Sequence, residues 1–321
     1  MILLSHTNIN HAIEKGLYYL HQAQRPSGEF TTYTSPNLDL SEGVLYAKSV
    51  YVTTFVMHAL ATLPSSSSAA PLIKEMQERA ASFLEQEQED NGAWNYEGRG
   101  QQRIPSDLDD TSCAIAALAE FDRQPELSFY ALLWQNESAP GGPYYTWLGI
   151  NDREDDPRAR QIDALVNANI LFCCGLLNLS LPGTIYYLEQ VIHAEAYQSE
   201  SAYIISPYFL LYALSRAYAD GQVTALEPAM STMTDYILSK LPPPRPDAPT
   251  FHIACLAAAL LNLSVPSILI RPYLAPLLAT QRPDGSWPGW GAYAGFSPNY
   301  DGSPDLTTAL TIEALGKYIK A

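Results

Sequence analysis

Gln281-Arg282-Pro283-Asp284-Gly285-Ser286-Trp287 reads QxxxGxW, and the pattern recurs twice more in the chain. Gln88-Glu89-Asp90-Asn91-Gly92-Ala93-Trp94 is a second copy, and Gln24-Arg25-Pro26-Ser27-Gly28-Glu29-Phe30 is a third, with Phe in place of Trp. Each copy follows an amphipathic stretch. Glycine suits a chain that must turn with positive φ as it leaves a helix. The aromatic side chain can then fold back as a plug, and the glutamine amide can bond exposed backbone groups or stack on a ring. One copy would mean little. Three copies at equivalent places of a helical chain mark a structural repeat.

Outward from these turns, apolar residues recur with helical spacing and strand-like alternation is scarce. Six short segments are apolar nearly all round: Thr53–Leu60, Asp110–Leu118, Asp163–Leu177, Ser206–Leu214, Phe251–Leu260 and Asp305–Leu315. A more amphipathic helix precedes most of them: His11–Gln22, Pro71–Glu87, Leu127–Gln135, Thr184–Ala194, Leu226–Leu241 and Ser267–Thr280. A helix apolar on every side must be buried on every side, and a helix with one polar face lies outside. Pairs repeating every ~40–60 residues are stacked helical hairpins. The expectation is an all-α fold, an (α/α)6 barrel of six helical hairpins, with short inner helices around a central cavity and residues 1–321 as one domain. An open superhelix is the alternative; six pairs match the closed barrel. Ser65 to Ser68 reads as a loop, not a domain boundary.

Composition narrows the function. Hydrophobic residues make up 47% of the 321 residues and charged ones 16%, enough apolar material for a large core. Eighteen Lys and Arg against 34 Asp and Glu give a formal charge of −16, which repels phosphate backbones and argues against nucleic acid as a partner. Cys113, Cys173, Cys174 and Cys255 all lie in apolar stretches and read as reduced core residues of a cytoplasmic protein. No uninterrupted apolar run is long enough for a transmembrane segment, and Met1 to Leu20 lacks the basic start of a secretory leader.

Ser106-Asp107-Leu108-Asp109-Asp110-Thr111-Ser112 carries the chemistry. Ser106 or Asp107 can cap the second inner helix, and carboxylates suit the first turn of a helix. Three carboxylates within four positions exceed what capping needs. Like charges this close cannot all stay ionised, so at least one carboxyl keeps its proton near neutral pH. Placed at the mouth of a barrel, that carboxyl is a Brønsted acid beside an apolar cavity. Twenty-one tyrosines and five tryptophans are many; Tyr144, Tyr145, Trp147, Tyr203, Tyr208, Trp290, Tyr293 and Tyr300 lie in or beside loops that could roof the barrel.

These motifs resemble those of a known superfamily. The three turns resemble the QW motifs of squalene–hopene cyclases and protein prenyltransferases. Asp107-Leu108-Asp109-Asp110-Thr111-Ser112 resembles the DxDD motif of class II terpene cyclases, often continued as DxDDTA, with Ser112 replacing the usual Ala. The resemblance implies a terpenoid cyclase/prenyltransferase-like barrel. It makes Asp109 the general acid that protonates a terminal alkene or epoxide, with Asp107 and Asp110 orienting and acidifying it. The implied substrate is a linear isoprenoid of one-barrel size, a C15–C20 prenyl diphosphate. Protonation needs no cofactor; a diphosphate would bring Mg²⁺ with it. Well-known class II cyclases combine two barrels. A single barrel is therefore either complete, or completed by a homo-oligomer partner or a second cyclase chain, or a non-catalytic isoprenoid- or partner-binding relative. The prenyltransferase branch requires zinc, and Asp305-Leu306-Thr307 lacks the thiol expected two positions on, so no metal ligand is assigned.

Further candidates are substrate-binding. Asn167, with Asp163 and Asn169, is polar within an apolar inner helix and needs a partner. His252 lies near the start of the fifth inner helix and Tyr208 near that of the fourth; Trp290 follows the last turn motif. Arg103 precedes the acidic motif and could grip a diphosphate. Asp152-Arg153-Glu154-Asp155-Asp156 reads as a solvated acidic loop.

Overall fold

The computed structural model describes residues 4–64, 69–123, 127–203, 205–241, 245, 247–294 and 298–321; the Ser65–Ser68 loop lies outside them. Six inner helices form the wall of the barrel: α2 (Tyr51–Ala61), α4 (Leu108–Ala119), α6 (Ala164–Leu176), α8 (Pro207–Ala219), α10 (Thr250–Asn262) and α12 (Pro304–Lys320). Each packs against the next in this order, and α12 packs back against α2, so the ring closes. Outside lie α1 (His6–Ala23), α3 (Ala70–Glu87), α5 (Leu127–Gln135), α7 (Pro182–His193), α9 (Glu227–Asp235) and α11 (Ser267–Ala279). A π turn, Tyr236–Lys240, continues α9. The fold is the (α/α)6 barrel that the apolar segments require.

Capping places the inner helices. Asp107 Oδ1 accepts from the Asp110 amide (2.7 Å) to start α4. Asp163 Oδ1 accepts from Leu165 (2.8 Å) and Val166 (3.2 Å) to start α6, and Ser303 Oγ accepts from Asp305 (2.9 Å) to start α12. Each cap satisfies amides that helix geometry leaves without partners.

The three repeated turns share one set of bonds. Gln24, Gln88 and Gln281 donate to the carbonyls of Gly28, Gly92 and Gly285 across their own turns. Gln24 also reaches Met76 O on α3 (2.9 Å), and Gln281 reaches Ala12 O on α1 (2.8 Å), so these amides tie neighbouring outer helices together. The plugs Phe30, Trp94 and Trp287 are buried, and their amides donate to Thr53, Thr111 and Thr308 on the following inner helices (3.0–3.1 Å). Gly285 sits at φ 92°, where a Cβ would lie 2.3 Å from Lys15 O, so only glycine fits. Trp287 is fully buried and its indole donates to Leu277 O (2.6 Å). Trp287→Ala is expected to cost about 3–5 kcal/mol, read as a lower denaturant midpoint; a loss below ~1 kcal/mol would mean that the plug does not brace the barrel.

The sequence expectation lacked one element. β1 (Thr32–Ser35), β2 (Leu45–Ala47), β3 (Gly291–Ala294) and β4 (Tyr300–Gly302) form an antiparallel sheet of order β2-β1-β4-β3. Strands of three or four residues are too short for period-two alternation to register in sequence. Pairing of Tyr33 with Gly302 joins the loop before α2 to the loop before α12. The sheet therefore covers part of the barrel end at which the inner helices begin. Along the axis, Phe55 packs on Phe209 (5.2 Å), Phe209 on Phe251 (5.4 Å) and Phe209 on Tyr212 (6.0 Å), closing the interior below that mouth. Cys113, Cys173, Cys174 and Cys255 are buried and free, as expected of core residues.

Candidate active site

The acidic motif is fixed from both sides. The backbone at Asp107 bridges Trp94 on one flank and Trp147 on the other. The amide of Leu108 donates to Thr146 O (2.8 Å), and that of Trp94 to Thr111 Oγ1 (3.0 Å). A QxxxGxW turn thus holds the start of α4 directly.

A cavity opens beside it, with about 620 Å³ of atom-free space including its mouth. Asp107, Asp109, Asp110 and Asp163 line one part; Tyr51, Tyr96, Trp147, Tyr203 and Tyr293 present rings to it, and Leu165, Val166 and Ile104 add aliphatic surface. Tyr51 and Tyr96 each meet Tyr293 edge-on, with centroids 5.3 and 5.8 Å apart, and Trp147 meets Tyr203 at 5.5 Å. The rings form two groups in the lining, Tyr51, Tyr96 and Tyr293 in one and Trp147 and Tyr203 in the other.

The three aspartates sit in different environments. Asp107 and Asp110 are buried and Asp109 is half-buried. Burial pushes the Asp107 carboxyl up to about 6, against hydrogen bonds from the Asp110 side chain and amide that favour its charged form. Burial and the Asp107 charge push Asp110 well above the usual carboxylate range. Asp109 rises to about 8: burial is the largest cause, the Asp107 charge adds to it, and hydrogen bonding from Asn169 and Tyr51 opposes it. At pH 7 an acid of that strength is about nine-tenths protonated. Asp109 is therefore a neutral carboxylic acid beside an anionic neighbour, on the wall of a ring-lined cavity.

Asn169 Nδ2 donates to Asp109 Oδ1 (2.7 Å), and Asn169 Oδ1 accepts from Arg216 Nη2 (2.7 Å). At the opposite end of the barrel, buried and half-buried charges form a second cluster. His58 Nδ1 lies 2.7 Å from Glu120, and Lys317 Nζ lies 2.6 Å from Asp220 and 2.8 Å from Glu313. Tyr212 donates to Glu313 (2.8 Å). Donor atoms of His58, Asp220 and Glu313 come within 4.8 Å of one another, as metal ligands would. The Lys317 ammonium bridges the two carboxylates and, with His58, supplies positive charge there.

Several sequence candidates fall outside the cavity wall. Asn167 is fully buried and its amide is spent on the chain: it accepts from the Tyr144 amide (2.8 Å) and donates to Tyr144 O (3.1 Å) and Asp163 O (2.9 Å). It pins the loop before α6 rather than facing a ligand. His252 packs edge-on between Tyr208 (5.0 Å) and Trp290 (5.3 Å), and none of the three belongs to the lining of this cavity. Arg103 is exposed and donates to Glu97 (2.7 Å) on the rim beyond Ile104. The Asp152–Asp156 loop is largely exposed, and Asp156 is held by Arg158 (2.8 Å). Trp147, Tyr203 and Tyr293 from the aromatic pool do line the cavity, and so does Asp163.

Tyr51, Tyr96 and Asp301 were missed. Tyr51 opens α2, half a turn before the segment singled out in sequence, and Tyr96 lies two residues beyond the Trp94 plug. Adjacency to a QxxxGxW turn was the available signal for Tyr96. Nothing local marks Asp301, which reaches the wall through β4.

A family model, the A-macroglobulin TED domain, matches residues 5–98. No curated protein matches the chain. The type II terpene cyclase MstE from Scytonema superposes with a TM-score of 0.76 at 18% identity, covering 98% of each chain. Structures of its variants hold geranylgeranyl dihydroxybenzoate, its substrate, and merosterolic acid A, its product. The ent-copalyl diphosphate synthase from Streptomyces platensis matches at TM-score 0.60 and 17% identity, covering 84% of this chain and 50% of that one. An unsaturated glucuronyl hydrolase specific for heparin also matches over 98% of each chain, at TM-score 0.57 and 12% identity. The chain has the fold of class II terpene cyclases. The same barrel carries a glucuronyl hydrolase, so the fold alone does not determine the chemistry.

Proposed function

We propose that this protein is a class II terpene cyclase that starts cyclisation by protonating a linear isoprenoid from Asp109. The observation that carries this reading is a carboxyl group pushed up to about 8 on the wall of a cavity faced by five aromatic rings. A protonated alkene is a far stronger acid than any carboxylic acid, so transfer is uphill unless the cation is stabilised as it forms. The faces of Tyr51, Tyr96, Trp147, Tyr203 and Tyr293 offer that stabilisation by cation–π attraction, without a nucleophile as strong as a free carboxylate. Asp107, ionised near neutral pH, keeps the proton on Asp109 before substrate arrives. The hydrogen bonds from Asn169 and Tyr51 hold the carboxylate left behind.

The terpene-cyclase-like fold over the full chain supports the same reading, as does the prenylated substrate of the Scytonema neighbour. A C15–C20 prenyl chain is the substrate class proposed, its headgroup kept through the reaction. Mg²⁺ would accompany a diphosphate headgroup as its counter-ion; no proton-transfer step passes through it.

Incubating the protein with linear prenyl compounds from C10 to C30, with and without Mg²⁺, tests the proposal. A cyclic product isomeric with its substrate is expected, and recovery of every substrate unchanged would refute it. The pH dependence is specific. Turnover requires protonated Asp109, so kcat is expected to be on its plateau near pH 7 and to fall as pH rises through about 8. A rate that rises across that range would assign the acid elsewhere.

A further inference from the structure

We propose that Arg216 is a positioning residue for Asp109: through the Asn169 carboxamide, its guanidinium dictates which Asp109 oxygen carries the transferable proton. The inference rests on the reading of Asp109 as the acid. It starts from hydrogen-bond inventory. A guanidinium can only donate, so the Asn169 atom that meets Arg216 Nη2 at 2.7 Å must be the carbonyl oxygen. The amide NH2 is then forced to face Asp109, where it donates to Oδ1 at 2.7 Å. An oxygen bonded to that donor gains nothing from a proton of its own. The proton is left to Oδ2, the oxygen not engaged by Asn169, on a residue that lines the cavity. Without Arg216 the amide can turn over. Its oxygen would then accept from the Asp109 hydroxyl and hold the proton against transfer.

The surroundings of Arg216 point the same way. Arg216 is 2% exposed. Its guanidinium lies over the rings of Phe172 (4.3 Å), Phe55 (4.6 Å) and Tyr212 (5.4 Å), and its Nε is buried with no hydrogen-bond partner among the described residues. A buried cation with an idle donor costs stability that an apolar side chain of the same size would not. Its hydrogen bond to Asn169 is what an apolar replacement would lose. The cation also sits one amide away from the charge that forms when Asp109 gives up its proton, which favours the ionised acid. The other groups facing Asp109 are Tyr51 on α2, Asp107, Asp110 and Cys113 on α4 and its cap, Asp163 at the start of α6, and Tyr293 and Asp301 on the sheet. None of these is cationic.

The test uses the full chain and reads Asp109 directly. The carboxyl infrared band of Asp109, isolated by difference against Asp109→Asn, is titrated from pH 5 to 10 in the wild type, Arg216→Met and Arg216→Gln. Both substitutions remove the charge, and Gln keeps an amide donor should Met fail to fold. The midpoint is expected to rise by about one pH unit or more in Arg216→Met, and less in Arg216→Gln. Where turnover is measurable, the alkaline limb of kcat moves up with it, and kcat falls about tenfold or more while KM changes little. A folded Arg216→Met or Arg216→Gln protein whose Asp109 midpoint stays at the wild-type value overturns the inference. The titration needs no substrate. Failure of the wild type to cyclise any isoprenoid would therefore sink the proposed function and leave this result standing, and an unmoved midpoint would do the reverse.

Discussion

Asp109→Asn is expected to lower cyclisation by about 10³-fold or more, with the helical circular dichroism spectrum and the unfolding midpoint held at or above wild-type values. The substitution keeps shape and volume and removes only the acidic proton. General acid catalysis contributes ~10²–10⁴-fold where other groups can share the task. Here no other described acid in the cavity has the same placement: Asp107 is ionised near neutral pH, Asp110 is buried behind the cap bond at the start of α4, Asp163 caps α6 and accepts from Ser201 and the Ala202 amide, and Asp301 accepts from Tyr96. Stability should not fall. A half-buried carboxyl pushed up to about 8 reports an environment that disfavours charge, so a neutral amide sits there at least as comfortably. Activity retained within tenfold of wild type would remove Asp109 from the mechanism. Loss of activity together with loss of the folded spectrum would make it a structural residue.

Lys317→Met is expected to produce the largest stability loss at a single charged position, about 3–5 kcal/mol. Lys317 Nζ bonds Asp220 (2.6 Å) and Asn262 (2.6 Å) and lies 2.8 Å from Glu313, which is fully buried. Removing the ammonium leaves two carboxylates facing each other with His58 as their remaining nearby cation. A second substitution, Glu313→Gln, should restore part of the loss by removing the uncompensated charge. A single-variant loss below ~1 kcal/mol, or no coupling in the double variant, would mean that the cluster is effectively solvated.

The same cluster sets a pH window. For His58, burial alone would lower the pKa, but the Glu120 and Glu313 charges and hydrogen bonds to Asp220 and Glu120 push it well above its ordinary 6.5. Its contribution is complete below 6.5 and is lost as pH rises through the folded value. Glu313 is also penalised by burial, yet Lys317 and His58 hold it down at about 2 from an ordinary 4.5. Its contribution is complete above 4.5 and is lost as pH falls toward 2. Denaturant midpoints should therefore show the greatest benefit from this cluster between about pH 4.5 and 6.5.

The inner helices were legible because an all-apolar helix has only one place to go. Asp163 and Ser206 were placed at helix starts from sequence alone, and both are the residues just before α6 and α8. The turns were legible because three copies supply their own control. What escaped depends on closure of the ring. Arg216 lies two residues beyond the apolar Ser206–Leu214 segment, in the last turn of α8, an ordinary place for a cation. Only the packing of α6 against α8 brings it to Asn169, 47 residues earlier. Asn167 and Asn169 look equivalent in sequence, but two residues along a helix is about 200° of rotation, so one amide pins a loop and the other meets the acid. Asp301 is brought to the wall by a strand of three residues, too short to announce itself.

The central claim is that a proton passes from Asp109 to carbon, and running the reaction in deuterium oxide tests it most directly. Product formed from an unlabelled linear isoprenoid should carry one non-exchangeable deuterium at the initiating end of the ring system, with its headgroup intact, and Asp109→Asn should form none of it. A cyclic product that carries no deuterium, or one that has lost its headgroup, would contradict the account.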